Sequence, residues 1–222
     1  MPRFRCTGSR EREARAQGYA RVAGVDEAGR GSLFGPVYAA AVVLSPGRPI
    51  YGLRDSKVLR AEAREELATE IRARAGACAV ASVDAFVIDN INIYQASCLA
   101  MRRAIEQLDP PPDYLLLDAV RLADLPLPQM PLIHGDARCQ AIAAASILAK
   151  VERDRCMVEW DRAYPQYGLR RHKGYTTAEH LLALDRHGPT MHHRFSFEPV
   201  QQACPRPLRR HAAAFAWSPA WA

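Results

Sequence analysis

Residues 21–44 read RVAGVDEAGRGSLFGPVYAAAVVL, and this stretch decides the fold. Its two apolar runs, 20–25 and 37–44, each predict a strand. Between them the carboxylate pair Asp26 and Glu27 leads straight into a loop, Gly29-Arg30-Gly31, and Gly35-Pro36 gives a sharp entry to the second strand. Acids at the mouth of a glycine-rich, arginine-bearing turn suit a site that holds a hard cation and admits a phosphate. That combination points to phosphodiester chemistry.

Outward from this stretch, Leu67, Ile71 and Ala75 fall at helical spacing and predict a helix over 60–75, with Gly76 as its C-cap. Residues 77–83 predict a strand. Residues 92–108 predict a helix, with Ile93, Ala96, Ala100, Ala104 and Leu108 on one stripe and a proline run from Pro110 to stop it. Strands follow at 114–117, with Asp118 at the end, and at 131–133. A long alanine-rich helix spans 137–160 with Asp136 at its N-cap position. Thr176 and Glu179 form a capping box for a helix ending near Gly188. Five strands joined partly through helices describe an α/β domain with a mixed sheet flanked by helices, over residues 20–200. Residues 1–19 read as a basic, flexible lead-in, and 201–222 as a loosely ordered Pro/Arg-rich tail.

The composition narrows the class. No apolar run approaches the ~18 residues of a membrane span, and the arginine-rich N-terminus has no signal-peptide core. The six cysteines are scattered, without metal-finger spacing, so free thiols in a reducing cytoplasm are expected. The net charge of +6 fits a polyanionic partner. Only Lys57, Lys150 and Lys173 among the 30 basic residues are lysines, each in a specialised-looking segment where a compact ammonium has a use that a planar guanidinium lacks.

Asp26, Glu27, Asp118 and Asp136 recur at strand ends and a helix start, where α/β sheets assemble ligand sites. Carboxylates converging there repel unless a divalent cation neutralises them. Neighbours on a regular strand face opposite ways, so Asp26 and Glu27 share a cation only if the strand ends or bulges between them. Plainer readings stay open: Asp136 as an N-cap, Asp118 as a strand-end acid, Asp55-Ser56-Lys57 as a turn, and Lys150 with Asp154 as a helical pair. His172-Lys173-Gly174-Tyr175 suits a sugar-phosphate contact with ring packing. Six of the seven histidines fall between His172 and His211, without zinc spacing, and read as surface or substrate-side groups.

These segments together resemble ribonuclease HII, the type 2 ribonuclease H family. The resemblance rests on residues 24–31 with Gly35-Pro36-Val37, on Asp55-Ser56-Lys57, and on 91–96. It continues through Gly135-Asp136 with 141–151 and Arg153-Asp154, residues 164–168, His172 to Tyr175, and His193-Arg194 with Ser196-Phe197. It implies the ribonuclease H-like fold with a C-terminal helical region. By it, Asp26, Glu27, Asp118 and Asp136 are the catalytic, metal-binding acids, served by Mn²⁺ or Mg²⁺. Gly29, Arg30, Gly31, Ser56, Lys57, Lys150, His172, Lys173 and Tyr175 are expected at the substrate.

The implied activity is endonucleolytic, on RNA–DNA hybrids and 5′ of ribonucleotides embedded in duplex DNA, by two-metal hydrolysis that leaves 3′-hydroxyl and 5′-phosphate ends. The protein is expected to act as a cytoplasmic monomer. An exonuclease of the same fold and a non-catalytic hybrid-binding protein are the alternatives. Ser32 and Phe34 stand where the family usually has proline and alanine. Ala119 replaces a usual glycine, which matters only if that backbone needs positive φ.

Overall fold

The structure, a computed structural model, describes residues 6–123 and 125–204. The chain runs α1 (Ser9–Ala16), β1 (Val22–Ala28), β2 (Val37–Val43), α2 (Ala61–Arg74), β3 (Ala77–Val83), α3 (Ala85–Glu106) and β4 (Tyr114–Asp118). It continues through β5 (Gln129–Leu132), α4 (Gln140–Ala163), α5 (Leu169–His172), α6 (Ala178–His187) and α7 (Glu198–Ala203). The five strands form one sheet in the order β3-β2-β1-β4-β5. β1 pairs antiparallel with β2 and parallel with β4, which pairs parallel with β5, so the sheet is mixed as expected. Among the described residues no helix is long and apolar enough to cross a membrane.

The chain divides into two units. The first gathers Met1–Ala28, Tyr38–Ser82 and Ser97–Glu152. Its central strand β1 buries Val22, Ala23 and Val25 completely, the pattern of a strand covered on both faces. One cover is α4, whose Ala143, Ala144, Ala145, Ile147, Leu148 and Ala149 are all fully buried with Ala28, Ala40 and Ile71 in one cluster. Alanine serves α4 twice, as the best helix former and as a side chain small enough for close approach. The approach is closest at Gly24, where a Cβ would stand 2.1 Å from the Ala141 carbonyl carbon and 2.3 Å from the Ile142 nitrogen. Both contacts are backbone and cannot move aside. Gly24→Ala is therefore expected to cost about 3 kcal/mol or more of stability, read as the shift of a urea midpoint; an unchanged midpoint refutes the close approach.

The second unit comprises Gly29–Val37, Val83–Ala96 and Arg153–Ala222. Its core joins Leu33 and Phe34 to Met157, Tyr167, Leu169, Leu184 and Val200. Phe34 packs edge-on against His193 at 4.8 Å and Trp160 at 6.0 Å and is wholly buried, so this departure from the family pattern is a core residue.

Several local expectations are revised. The lead-in expected to fray carries helix α1, with Glu11 and Ala14 buried. Thr177, not Thr176, caps α6 by accepting from the His180 N–H at 3.2 Å. Asn92 starts the predicted helix as an internal cap, its Oδ1 accepting from the Tyr94 and Gln95 amides, while a preceding segment from Ala85 went unread. The tail expectation for 201–222 falls largely outside the described residues, although α7 reaches Ala203 with Val200 buried.

Candidate active site

Three acids converge in the first unit. One carboxylate oxygen each from Asp26, Asp118 and Asp136 lies within 4.8 Å of the others. β1 delivers Asp26, which is 4% exposed, and the parallel neighbour β4 ends on Asp118. A 3₁₀ turn over Gly135–Ala137 presents Asp136. The long helix begins only at Gln140, so Asp136 is not its N-cap. Glu11 takes that duty instead, its Oε1 accepting from the Ala141 N–H at 2.7 Å. This frees the Asp136 carboxylate for the cluster.

Each acid is held. Gly135 N–H donates to Asp118 Oδ1 at 2.7 Å, and a Cβ on Gly135 would stand 2.6 Å from an Ile142 methyl. Ser146, on α4, donates to Asp26. Ser146 also pairs with Ser56, their Oγ atoms 3.0 Å apart with either able to donate, so the two hydroxyls form a short relay beside the buried Asp26 carboxylate. Ser56, expected at the substrate, is 3% exposed and packs its hydroxyl against Ser146. Ser146 was missed from sequence, although a lone hydroxyl in the apolar run AIAAASILA was its signal. We expect Ser146→Ala to weaken divalent-cation binding roughly 10- to 100-fold, measured by calorimetry; unchanged affinity would count against the relay.

Electrostatics bear the marks of a site short of positive charge. Burial, then the charges of Glu27 and Asp118, push the Asp26 carboxyl well above its ordinary range, against the bonds from Ser146 and the Glu27 amide. Asp136 is raised by burial, then by Asp55 and Asp118, against the pull of Lys57. Lys57 Nζ lies 3.6 Å from Asp136 Oδ2. Burial lowers that ammonium, but Asp136, Asp55 and Asp26 outweigh it and raise it overall. Glu27 stands outside the trio: β1 keeps an unbroken register through Asp26↔Ala40, Glu27↔Ala39 and Ala28↔Tyr38, so there is no bulge to turn both side chains one way. Lys150 lies one helical turn beyond Ser146 on α4, half-buried.

Ala119, just past Asp118, has φ +53°. The backbone there is left-handed, which is the case in which the replaced glycine matters. Ala119→Gly should stabilise the fold by about 1 kcal/mol, seen as a higher melting temperature.

The second unit holds the remaining candidates. Arg30 and Gly31 are exposed, while Gly29 sits at φ +96° with Arg153 Nε only 2.0 Å from where a Cβ would be. Two fully buried arginines brace the loop, Arg194 at the Arg30 carbonyl and Arg153 at its flanks. Arg153 donates to Lys173 O at 2.9 Å and to Ser32 Oγ at 2.6 Å; Arg194 donates to Arg30 O at 2.8 Å and Gly35 O at 3.0 Å. Ser32, the other departure, is thereby a strut of the loop, its Oγ donating on to Phe34 O. Tyr175 is half-buried beside Ser32, its ring centroid 5.2 Å from Arg153 Cζ.

Lys173 Nζ turns back to Arg170 O at 2.7 Å. His172 is buried with both nitrogens engaged: Gly174 N–H donates to Nδ1, so Nε2–H donates to Tyr167 O at 2.7 Å. It shapes the loop and has no nitrogen left for a ligand. His180 and His193, expected at the surface or on the substrate side, are completely buried, with their Nε2 atoms 3.3 Å apart.

Comparison with known proteins agrees with this arrangement. The sequence model described as Ribonuclease HII matches residues 23–200. A "Ribonuclease HII" from Solibacter usitatus is 59% identical over 206 residues, covering 93% of this chain and 90% of that protein. The ribonuclease H2 crystal structure from Pyrococcus horikoshii OT3 superimposes with TM-score 0.70 at 24% identity, over 87% of this chain and 99% of that one. Bst-RNase HIII, solved in complex with Mn²⁺, gives TM-score 0.67 at 21% identity, over 86% of this chain and 70% of that one. These likenesses carry the fold, and the matched span contains Asp26, Glu27, Asp118 and Asp136. By its sequence, its mixed sheet and the acids that sheet brings together, the chain belongs to the ribonuclease HII family and is a ribonuclease H enzyme.

Proposed function

We propose that the protein is a divalent-cation-dependent endonuclease that hydrolyses the RNA strand of RNA–DNA hybrids and also cuts on the 5′ side of single ribonucleotides within duplex DNA. The observation that carries this reading is the approach of three carboxylates to within 4.8 Å in a largely buried position. The donor set fits the metal: all oxygen, all hard, and mutually repulsive enough to raise Asp26. Asp26, Asp118 and Asp136 would hold Mg²⁺ or Mn²⁺, with Glu27 adding its charge from the adjacent strand position. The bound cations would supply an activated water and stabilisation of the departing 3′-oxygen, the two-metal form of hydrolysis.

Around that chemistry the chain's own groups have separate tasks. Ser146 and Gly135 keep the carboxylates aimed, so their geometry need not be reorganised when substrate arrives. Lys57 offers its ammonium beside Asp136 to an incoming phosphate. Hydrolysis adds water across the P–O3′ bond: the water oxygen joins phosphorus, and the proton ends on the released 3′-oxygen. In the second unit, the arginine-held Gly29-Arg30-Gly31 loop and Tyr175 would contact the ribonucleotide. Selectivity would rest on its 2′-hydroxyl, the group that separates RNA from DNA.

A labelled DNA duplex with one internal ribonucleotide and blocked ends tests the proposal. Incubated with Mg²⁺ or Mn²⁺ and mapped, it should give one cut 5′ of the ribonucleotide. No product would refute the endonuclease reading, since an exonuclease fails on blocked ends and a binding protein gives none at all.

A further inference from the structure

Residue 194 reaches the glycine loop of the second unit three times. Its backbone N–H donates to Leu33 O at 2.9 Å, its Nε to Gly35 O at 3.0 Å and its Nη1 to Arg30 O at 2.8 Å. A guanidinium is a rigid fork, so where residue 194 stands decides where the Arg30 and Gly35 carbonyls stand. What holds residue 194 is a carboxylate remote in sequence. The amides of Phe195 and Ser196 donate to Asp89 Oδ2 at 2.9 Å and Oδ1 at 2.8 Å, and Ser196 Oγ donates to Oδ1 at 2.6 Å. Phe197 N–H closes the turn on Arg194 O at 3.0 Å. Asp89 lies on the first part of α3, before the break at Asn92, and has no capping duty there. Asp84 does that work, accepting from the Val87 N–H at 2.9 Å. All three donors on the Asp89 carboxylate come instead from residues 106 and 107 positions further along the chain. Bonds to an ionised acceptor are roughly twice as strong as neutral ones, so this turn is firmly tied down.

Charge links the same groups. Arg194 is completely buried; burial and then Arg153 push its guanidinium down to about 9, with Tyr175 and then Asp89 opposing. A buried cation needs negative charge within reach, and Asp89 is the carboxylate that supplies it. Asp89, the turn 194–197 and the loop all belong to the second unit. We propose that Asp89 is a positioning residue for ribonucleotide recognition: by anchoring the 194–197 turn it sets, through Arg194, the geometry of the Gly29-Arg30-Gly31 loop, without itself touching the substrate. This rests on the reading that the loop contacts the ribonucleotide. A loop held to a fraction of an ångström can tell one hydroxyl from its absence; a loop that shifts by an ångström meets ribose and deoxyribose alike. Binding to duplex in general draws on phosphate contacts and does not need that precision. Loss of Asp89 should therefore remove the preference for ribose and leave general duplex binding in place.

Fluorescence anisotropy of the full chain in EDTA tests this without turnover, using a DNA duplex with one internal ribonucleotide and the same duplex in DNA throughout. The wild-type chain is expected to bind the ribonucleotide duplex at least tenfold more tightly. Asp89→Asn keeps the size of the side chain but turns one of its two acceptors into a donor facing an N–H. It should bind the all-DNA duplex within twofold of wild type and lose at least fivefold of the ribonucleotide preference. Ser196→Ala removes only the hydroxyl bond and should lose about twofold of that preference; it carries the test if Asp89→Asn does not fold. A merely structural role predicts instead that both affinities fall together with the melting temperature. A wild-type preference that Asp89→Asn retains, or an equal loss on both duplexes, would overturn the inference and leave the reading of the loop standing. So would an unchanged preference in Ser196→Ala where Asp89→Asn does not fold. No preference in the wild-type chain would overturn the reading of the loop, and this inference with it.

Discussion

Asp118→Asn is expected to lower metal-dependent cleavage of the ribonucleotide-containing duplex by a factor on the order of 10³, about 4 kcal/mol of barrier. Asparagine keeps the size of the side chain and an oxygen that can still accept from the Gly135 amide, which reaches Asp118 Oδ1 at 2.7 Å. What it removes is charge, from a group whose neighbours are Asp26 and Asp136. A cation would then be held by fewer anionic oxygens, while binding of the hybrid, which on the proposed function draws on the glycine loop and its neighbours, is expected to be largely spared. A gel-shift assay in EDTA beside a single-turnover rate in Mg²⁺ separates the two. The same change should raise the melting temperature without metal, since it relieves part of the repulsion that lifts Asp26. Retained turnover would remove Asp118 from the mechanism.

Acid should unfold the second unit well before it would unfold an average domain. Burial holds His180 down at about 4 and His193 at about 3, against an ordinary value of 6.5. In the folded chain both are neutral and fully bonded. Thr190 N–H donates to His193 Nδ1, leaving Nε2–H to donate to His180 Nε2, and His180 Nδ1–H donates to Tyr175 O. Because the folded values lie below the unfolded one, the unfolded chain binds the extra protons. Stability is intact above about 6.5 and is lost as pH falls toward the folded values. At pH 4.5 each ring is two units below its unfolded value, so the pair costs about 5 kcal/mol, comparable with a whole domain's stability. Asp26 and Asp136, being raised, act with the opposite sign in the first unit, so a local probe is needed. Amide hydrogen exchange over residues 164–200, corrected for intrinsic rates, should show protection collapsing between pH 6.5 and 4.5. Protection that stays constant across that range would contradict the buried, neutral assignment.

Some of the molecule was legible because its signals are local. Strand 77–83 and the last turn of α6 before Gly188 follow from residue type, and the expected strand pair around Asp26 is there with its glycine loop. The acids could be picked out because they recur at strand ends and a helix start within motifs that resemble those of one family. Ser146 shows the limit. Its hydroxyl looked like one polar atom in an alanine helix, and its meaning depends on β1 lying close enough for it to reach Asp26. The histidines misled for the same reason. Polar residues near the surface and polar residues in a closed network have the same sequence; only the supply of partners distinguishes them.

Sequence alone determined the five strands and most of the helices between them, though not α1, α5 or α7, together with the acids on offer and the family, because hydrophobic periodicity, turn residues and motif spacing are written along the chain. Tertiary structure alone decided which acids meet. An unbroken β1 ladder leaves Glu27 off the trio, and Glu11, arriving from α1, caps the long helix and releases Asp136. It also decided that His172 and Ser56 are buried and hydrogen-bonded within the chain. Those outcomes depend on distances between residues remote in order, set by packing α4 against Gly24, and no local pattern encodes them.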